Sequence, residues 1–414
     1  MRKIASLFLV FAIAAGLTSC DHGLSPDSGD SHNSASDTGI SDNNSTSESS
    51  GTPDSSNTPD EPNRADAAVN IAREEYNITL PIIPAGEALE LEKIDLPEQI
   101  DGHYVNLGQL IDDDTFIVYL IDREGANGVY RGAGLYSVST GEFRALSGLP
   151  TDGICAWNSD YIVYKEYDSD FTRPAEDESV KLFLYDISAR ENRLVYTYSF
   201  DRETEIYESH WKNNIALKDN KLYFDDIIGE DEERRVFLFS YDISSGELEK
   251  LKDDAQNPIV YKDTLLYIKT KDGNFELESL NGRYSFEMNG HIQNIAALGD
   301  DIFSLDVISN DNEKRETTWG IKNMLTGEYI LKTTRTISEL AGNDSLMAFK
   351  DWGINCPPVV YNSADNTFIV FDELVEPEVY WFFSGNAGVI RTIGQDPVTY
   401  LFKAIPHNLY AVLP

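Results

Sequence analysis

The chain has 414 residues, with 71 Asp and Glu against 33 Lys and Arg, so its formal net charge is −38 at pH 7. A surface this acidic repels nucleic acid and anionic lipid headgroups, which argues against both as direct partners. Cations, basic proteins and neutral glycans remain open as ligands. Apolar residues make up 41% of the chain, enough for a large core, and the 22 Tyr and 19 Phe favour strands.

The first twenty residues have the pattern of an export signal. Arg2 and Lys3 precede an apolar run over residues 4–15, and Leu17-Thr18-Ser19-Cys20 follows. The run is shorter than the about 20 residues that span a bilayer. The arrangement resembles the lipobox of bacterial lipoproteins. That resemblance implies a signal peptide over residues 1–19 and a lipidated, palmitate-bearing Cys20. It also implies a protein held by this anchor on the extracytoplasmic face of a bacterial membrane.

The next segment, residues 20–63, has the composition of a flexible tether. After Cys20 it contains no Lys, Arg or aromatic residue and consists mainly of Ser, Asp, Asn, Thr, Gly and Pro. Such a segment buries too little apolar surface to offset the entropy of ordering, so we expect a disordered N-terminal linker. Its root-mean-square reach is on the order of 35–40 Å.

Residues 64–76 are predicted to form one short helix, because Ala68, Ile71, Ala72 and Tyr76 fall on one face. From residue 77 to residue 414 the hydrophobic period is two. Residues 115–120, 161–164 and 264–268 are examples of β-branched and aromatic runs bounded by Asp, Asn and Gly, which indicates strands.

These strands recur in a repeating unit. A strand opens after an Asp- or Asn-rich turn, a variable loop follows, and two further strands flank a tight turn. The clearest copies of the tight turn are Thr140-Gly141-Glu142 and Ser245-Gly246-Glu247. The turns fall near positions 141, 190, 246, 282, 327 and 365. A period of about 40–50 residues with several short strands is typical of a β-propeller.

This part of the chain resembles bacterial extracytoplasmic β-propellers that carry a Leu-Tyr-Asp and Thr-Gly-Glu element. The fold class is therefore all-β. Seven blades are expected, counting the N-terminal region over 78–94 and the segment over 379–413, and six or eight remain open. The N-terminal strand is expected to complete the last blade. In detail, we expect residues 78–83 to lie beside residues 408–413.

No catalytic motif is present in the sequence. There is no Gly-x-Ser-x-Gly, no His-Glu-x-x-His and no phosphate-binding glycine loop, so no cofactor is predicted. The acidic stretches 168–170, 230–233 and 311–313 offer oxygen ligands for Ca²⁺, but none has the spaced Asp-x-Asp-x-Asp-Gly pattern and solvated loop charge is the preferred interpretation. For Cys155 and Cys356, two buried thiols are the default and a disulfide stays open.

Three tryptophans are candidate ligand-binding residues because aromatic rings at loop mouths stack on sugars or peptides: Trp157, Trp211 and Trp352. The first interpretation is a binding module that takes a protein or glycan partner at one face of the propeller. The alternative is a glycan- or peptide-active enzyme with carboxylates at the channel mouth. A third is a structural component of an envelope complex. Paired carboxylates with shifted pKa values in a deep pocket would favour the enzyme.

Overall fold

Seven small, mainly antiparallel sheets form a seven-bladed β-propeller in the computed structural model. The structure describes residues 64–122, 130–146, 154–167, 179–201, 215–229, 235–271, 274–288, 292–311, 316–353, 356–374, 379–384, 387–392 and 398–404. The predicted signal peptide, Cys20 and the linker to residue 63 therefore lie outside the described residues.

The first four blades follow one another along the chain. Blade 1 contains β3 (Gln99–Ile100), β4 (His103–Leu110), β5 (Thr115–Ile121), β6 (Tyr130–Ser137) and β7 (Phe143–Ala145). Blade 2 contains β8 (Ile154–Trp157), β9 (Tyr161–Tyr167), β10 (Ser179–Asp186) and β11 (Glu191–Asp201). Blade 3 contains β12 (Ala216–Lys218), β13 (Lys221–Ile228), β14 (Arg235–Asp242) and β15 (Leu248–Asp253). Blade 4 contains β16 (Ala255–Tyr261), β17 (Thr264–Lys271), β18 (Asn274–Ser279) and β19 (Ser285–Met288).

The last three blades recruit strands from the N-terminal region. Blade 5 contains β20 (Ile292–Leu298), β21 (Asp301–Asp311), β22 (Glu316–Asn323) and β23 (Tyr329–Thr333). Blade 6 contains β24 (Ile337–Gly342), β25 (Leu346–Asp351), β26 (Val359–Asn362), β27 (Thr367–Val370) and β1 (Ile82–Pro84). Blade 7 contains β28 (Val379–Ser384), β29 (Ala387–Thr392), β30 (Thr399–Ala404) and β2 (Leu89–Ile94).

The ring closes through β2, the outer strand of blade 7. It pairs antiparallel with β30, from Leu89 opposite Ala404 to Ile94 opposite Thr399. The prediction that an N-terminal strand completes the last blade is therefore confirmed. Closure removes the free edges that an open ring would leave unpaired.

Residues 82–84 do not lie in the closing blade. Ile82–Pro84 pairs instead in parallel with β27 of blade 6, where Ile82 lies opposite Phe368. Pro84 ends this strand, and the short helix α2 (Ala85–Ala88) then carries the chain to β2. Proline lacks a backbone N–H, which restricts it to edge strands and strand ends. The partner expected over residues 408–413 lies outside the described residues.

The helix α1 (Arg64–Glu75) packs against blades 5 and 6. Ala68, Ala72 and Tyr76 are buried in this cluster, as their shared face predicts. Ile71 is 41% exposed and does not join them. The helix is therefore attached through a narrower apolar stripe than the sequence indicates.

The two ends of the ring differ in their connections. In blades 2 to 6 the first and second strands, and the third and fourth, are joined at one end, which we call the turn face. In blade 1 we count β4 as the first strand, so the corresponding turns join β4 to β5 and β6 to β7. In blade 7 only the first pair, β28 and β29, is joined there, because the fourth strand β2 comes from the N-terminal region. Asn158–Asp160 and Ser244–Gly246 are examples of its turns. The opposite end, where the second strand joins the third and one blade joins the next, is the loop face. Asx hydrogen bonds hold several of the turns, for example from the amides of Ser244 and Ser245 to Asp242 Oδ1 at 3.1 and 2.9 Å.

Candidate functional site: the axial cavity

The first strands of the seven blades surround a cavity of about 760 Å³ on the propeller axis. Every blade contributes to its wall. The lining residues are Ile111 from blade 1, 155–159 from blade 2, 215–217 from blade 3, 258–260 from blade 4, Ile295 from blade 5, 342–344 from blade 6, and Phe383 with Ser384 from blade 7. Since most of these residues lie at the ends of first strands or in the turns after them, the cavity opens at the turn face.

Strand β8 presents three consecutive residues of blade 2 to the cavity, residues 155–157. In β8, Ile154 and Ala156 are buried, whereas Cys155 and Trp157 are half-buried. A register shift between Ile154 and Ala156 interrupts the alternation of this strand. Ile154 and Trp157 pack toward blade 1, whereas Cys155 and Ala156 pack toward blade 3. Cys155 and Trp157 both line the cavity.

Two cavity residues are fixed by carbonyl groups of blade 1. The indole Nε1 of Trp157 donates a hydrogen bond of 2.6 Å to the Leu110 carbonyl. From the other side, the Ser384 hydroxyl donates to the Ile111 carbonyl. Blades 2 and 7 are therefore both tied to blade 1, and the Trp157 ring is held in one orientation. A ring held in this way needs little further ordering when a ligand stacks on it.

Asparagines shape the mouth of the cavity. Asn158 Oδ1 accepts hydrogen bonds from the amides of Asp160 and Tyr161 at 2.9 and 2.8 Å. In blade 6, Asn343 Oδ1 accepts from the amides of Ser345 and Leu346 at 3.1 and 2.8 Å. Both side-chain oxygens therefore stabilise the backbone of a turn. The Asn343 amide also reaches the Ala387 carbonyl of blade 7 at 3.4 Å.

Asp344 is the one carboxylate among the cavity-lining residues that the structure describes. Amides, hydroxyls, one thiol, aromatic rings and aliphatic side chains make up the rest. This lining can donate and accept hydrogen bonds and can cover apolar groups. It lacks, within the described residues, the second carboxylate that glycoside hydrolysis needs.

The structure separates the predicted tryptophans. Trp157 lines the axial cavity. Trp352 follows β25 at the loop face, which is the opposite end of the ring. It is 40% exposed, its Nε1 donates to Ser338 Oγ at 2.8 Å, and the Lys350 ammonium lies 3.7 Å from its ring centre. Trp211 lies outside the described residues. Trp157 and Trp352 therefore do not belong to one site.

Sequence reasoning missed a buried charged cluster between blades 2, 3 and 4. Asp226 accepts a hydrogen bond of 2.7 Å from the Tyr196 hydroxyl, and Asp225 accepts one of 2.6 Å from the Asn257 amide. The buried Lys165 lies on blade 2 with its ammonium 5.0 Å from the Tyr198 ring centre. The sequence feature that could have indicated this cluster is the pair Asp225-Asp226 inside the strand that begins at Lys221.

Burial is the main reason that the pKa of Asp225 is raised to about 6. The Asn257 amide and the charge of Lys165 oppose this shift, and the charge of Asp226 adds to it. Neither aspartate lines the axial cavity. The pair therefore does not supply the pocket-bound carboxylates that would favour an enzyme.

Neither Cys155 nor Cys356 forms a disulfide. Cys155 is on blade 2 and Cys356 on blade 6, so the bond left open by the sequence is absent. Burial raises the pKa of the Cys356 thiol to about 11.

The described residues contain no group of three or more His, Cys, Asp or Glu side chains placed to hold a metal ion. The Ca²⁺ candidates at 168–170 and 230–233, and most of 311–313, lie outside the described residues. No helix within the described part of the chain combines the length and apolar character needed to span a bilayer.

The structure is similar to several solved β-propellers. An oligogalacturonate lyase in complex with manganese aligns with a TM-score of 0.45 at 13% identity, covering 78% of this chain and 98% of that chain. The lyase from Vibrio parahaemolyticus aligns with 0.43 at 15% identity, covering 76% and 97%. The propeller domain of the trilobed protease from Pyrococcus furiosus aligns with 0.45 at 9% identity, covering 76% and 100%.

No family model matches the chain. No curated protein matches it either. At the identities of the solved structures, the likeness concerns the propeller fold and assigns neither substrate nor reaction to this chain.

Proposed function

We propose that this protein is a lipid-anchored binding module on the extracytoplasmic face of a bacterial membrane, and that its propeller takes a protein or glycan partner in the axial cavity. The observation that carries the binding role is the lining of that cavity. All seven blades contribute to it, and Asp344 is the one carboxylate among its described residues. Hydrogen-bonding groups and aromatic rings are what a recognition site uses to orient a ligand.

The anchor is proposed from the sequence. Arg2, Lys3, the apolar run and the Leu17-Thr18-Ser19-Cys20 segment support lipidation at Cys20. The composition of residues 20–63 supports a spacer that holds the propeller away from the lipid surface. The partner would then be a molecule of the envelope or the cell surface.

The anchor is tested by membrane fractionation of the full chain and of Cys20→Ala in a bacterial host. The native protein is expected in the membrane fraction, and the variant in the soluble fraction or retained as an unprocessed precursor. Cys155→Ala is the matched control, because it removes a thiol of the propeller and leaves the anchor intact. A Cys20→Ala protein that is processed and still fully membrane-bound would contradict the anchor.

The binding role is tested with the purified full-length protein on arrays of peptides and glycans. A bulky maleimide coupled to Cys155 would fill the cavity, so binding to any array member is expected to be lost on coupling. Mass spectrometry of the bound ligands is expected to show them unchanged. Shortened ligands would support the enzyme instead, and binding unaffected by coupling would place the site elsewhere.

A further inference from the structure

The turns around the mouth of the axial cavity share one chemical property. In each blade whose first turn is described, the turn between the first two strands carries at least one aspartate. These are residues 112–114 in blade 1, Asp160 in blade 2, Asp219 in blade 3, Asp263 in blade 4, Asp300 in blade 5 and Asp344 in blade 6. They form an acidic rim around the cavity.

The basic side chains near this rim are already engaged by carboxylates. Lys403 pairs with Asp113, and Lys218 Nζ lies 3.1 Å from Asp219. Lys262 Nζ lies 2.9 Å from Asp300, and Arg283 Nη1 lies 3.1 Å from Asp263. Asp160 and Asp344 are exposed and have no basic partner among the described residues. The negative charge of the rim is therefore only partly compensated.

Inside this rim the wall of the cavity combines apolar side chains with hydrogen-bonding groups. Ala156, Ile259, Ile295 and Phe383 contribute to it, together with the fixed indole of Trp157. A ligand that fills the cavity therefore meets apolar patches and hydrogen-bonding groups at the centre and carboxylates at the circumference. An anionic ligand would be repelled, and an uncharged ligand would leave the rim without a complementary charge.

We infer that the occupant of the axial cavity is a cationic polypeptide segment in which Lys or Arg alternates with aliphatic residues. The inference rests on the proposed binding role of the cavity and adds the chemistry of the partner. Basic side chains pair with Asp160 and Asp344 at the rim, and aliphatic side chains contact Trp157 and Phe383 inside. Asn158 Nδ2 makes no hydrogen bond with the described residues and is available to a backbone carbonyl of the segment.

Alkylation of Cys155 reports occupancy of the cavity. The probe is a capped Lys-Leu-Lys-Leu-Lys peptide, compared with Glu-Leu-Glu-Leu-Glu and Ser-Leu-Ser-Leu-Ser, on the full-length protein. The cationic peptide is expected to slow alkylation of Cys155, and the other two are not. Cys356, which is buried beside Tyr76, serves as the internal reference for unfolding.

Substitution of the rim tests the charge. Asp344→Asn is expected to weaken binding of the cationic peptide about two- to fivefold, the range of an exposed ion pair. Glu247→Gln is the matched control, because it removes the same charge from an exposed turn of the turn face that does not line the cavity. Raising the salt concentration from about 50 mM to about 500 mM is expected to weaken binding further.

The outcomes separate this inference from the proposed function. If the serine or glutamate peptide protects Cys155 from alkylation as strongly as the lysine peptide does, the inference of a cationic partner is overturned. The cavity would then still be a binding site. Equal effects of Asp344→Asn and Glu247→Gln would also overturn it. The proposed function fails on a different result, which is array binding that survives a blocked Cys155 or ligands that are cleaved.

Discussion

The Tyr76 hydroxyl donates a hydrogen bond of 2.6 Å to Asp351 Oδ2, and this contact joins the end of helix α1 to blade 6. The guanidinium of Arg335 donates to the same oxygen at 2.6 Å and to Glu75 at 2.9 Å. The Gly353 amide donates to Asp351 Oδ1 at 2.7 Å. One half-buried carboxylate therefore organises the contact between the propeller and the chain that leads to it from the N-terminus.

Tyr76→Phe is expected to lower the free energy of unfolding by about 1–3 kcal/mol. The substitution keeps the ring, which is 1% exposed, but removes a hydrogen bond to a charged group. Urea denaturation measures the change. Tyr400→Phe is the control, because its contact with Glu373 is exposed and 3.4 Å long. Equal effects of the two substitutions would show that the Asp351 contact adds nothing to stability.

Closure of the ring by β2 gives a second prediction. Leu89 is 3% exposed and packs in the core between blades 6 and 7, so Leu89→Ala is expected to cost about 2–5 kcal/mol. Leu91 lies two positions along the same strand and is 37% exposed. Leu91→Ala should cost less than about 1 kcal/mol. Thermal melts of both variants measure the difference, and equal losses would argue against β2 as a packed closing strand.

A close approach in blade 1 gives a third prediction. A Cβ on Gly134 would lie 2.7 Å from the Arg144 carbonyl oxygen and would overlap the Phe143 ring. Gly134→Ala is therefore expected to destabilise the protein by about 1–3 kcal/mol through overpacking. Gly86→Ala is the control, since nothing lies within 4 Å of its added Cβ. Urea denaturation should show a lower free energy of unfolding for Gly134→Ala than for Gly86→Ala. An unchanged free energy of unfolding in Gly134→Ala would mean that Phe143 does not cover the glycine.

The buried Asp225 gives a prediction of pH dependence. Its pKa is about 6 in the folded protein, whereas the ordinary value is 3.8, so the native state holds this proton where the unfolded chain has lost it. The contribution of Asp225 to the free energy of unfolding therefore increases by up to about 3 kcal/mol as the pH falls from about 6 to about 4. This contribution is lost when the pH rises above about 6.

Comparison of the native protein with Asp225→Asn separates the contribution of Asp225 from the pH-dependent repulsion among the other carboxylates, which both proteins share. Denaturation curves of the native protein and the variant at pH 5 and pH 7.5 give two differences in the free energy of unfolding. The variant is expected to gain relative to the native protein at the higher pH, where Asp225 is ionised. Parallel pH profiles for the two proteins would mean that Asp225 does not titrate in this range.

The repeat could be predicted from the sequence because its signal is local. The turns expected near 141, 246, 282 and 327 each contain a glycine with positive φ, and those near 190 and 365 use Arg190 and Asn366 in the same conformation. A left-handed residue between two strand runs identifies a hairpin without knowledge of the rest of the fold.

Nonlocal features could not be found in this way. The parallel pairing of Ile82 with Phe368 joins residues far apart in the chain, and no local pattern distinguishes it from pairing in blade 7. The burial of Asp225 depends on contacts from blades 2 and 4. The cavity forms only when seven first strands meet, so Trp157 was a candidate by residue type and not by position.

The central claim is that the axial cavity at the turn face binds the ligand. Its most direct test is hydrogen–deuterium exchange of the full-length protein with and without the lysine–leucine peptide. Exchange is predicted to slow in the turns at 158–160 and 343–345 and to stay unchanged around Trp352 at the loop face. Protection confined to the Trp352 end, with none in these two turns, would contradict the account.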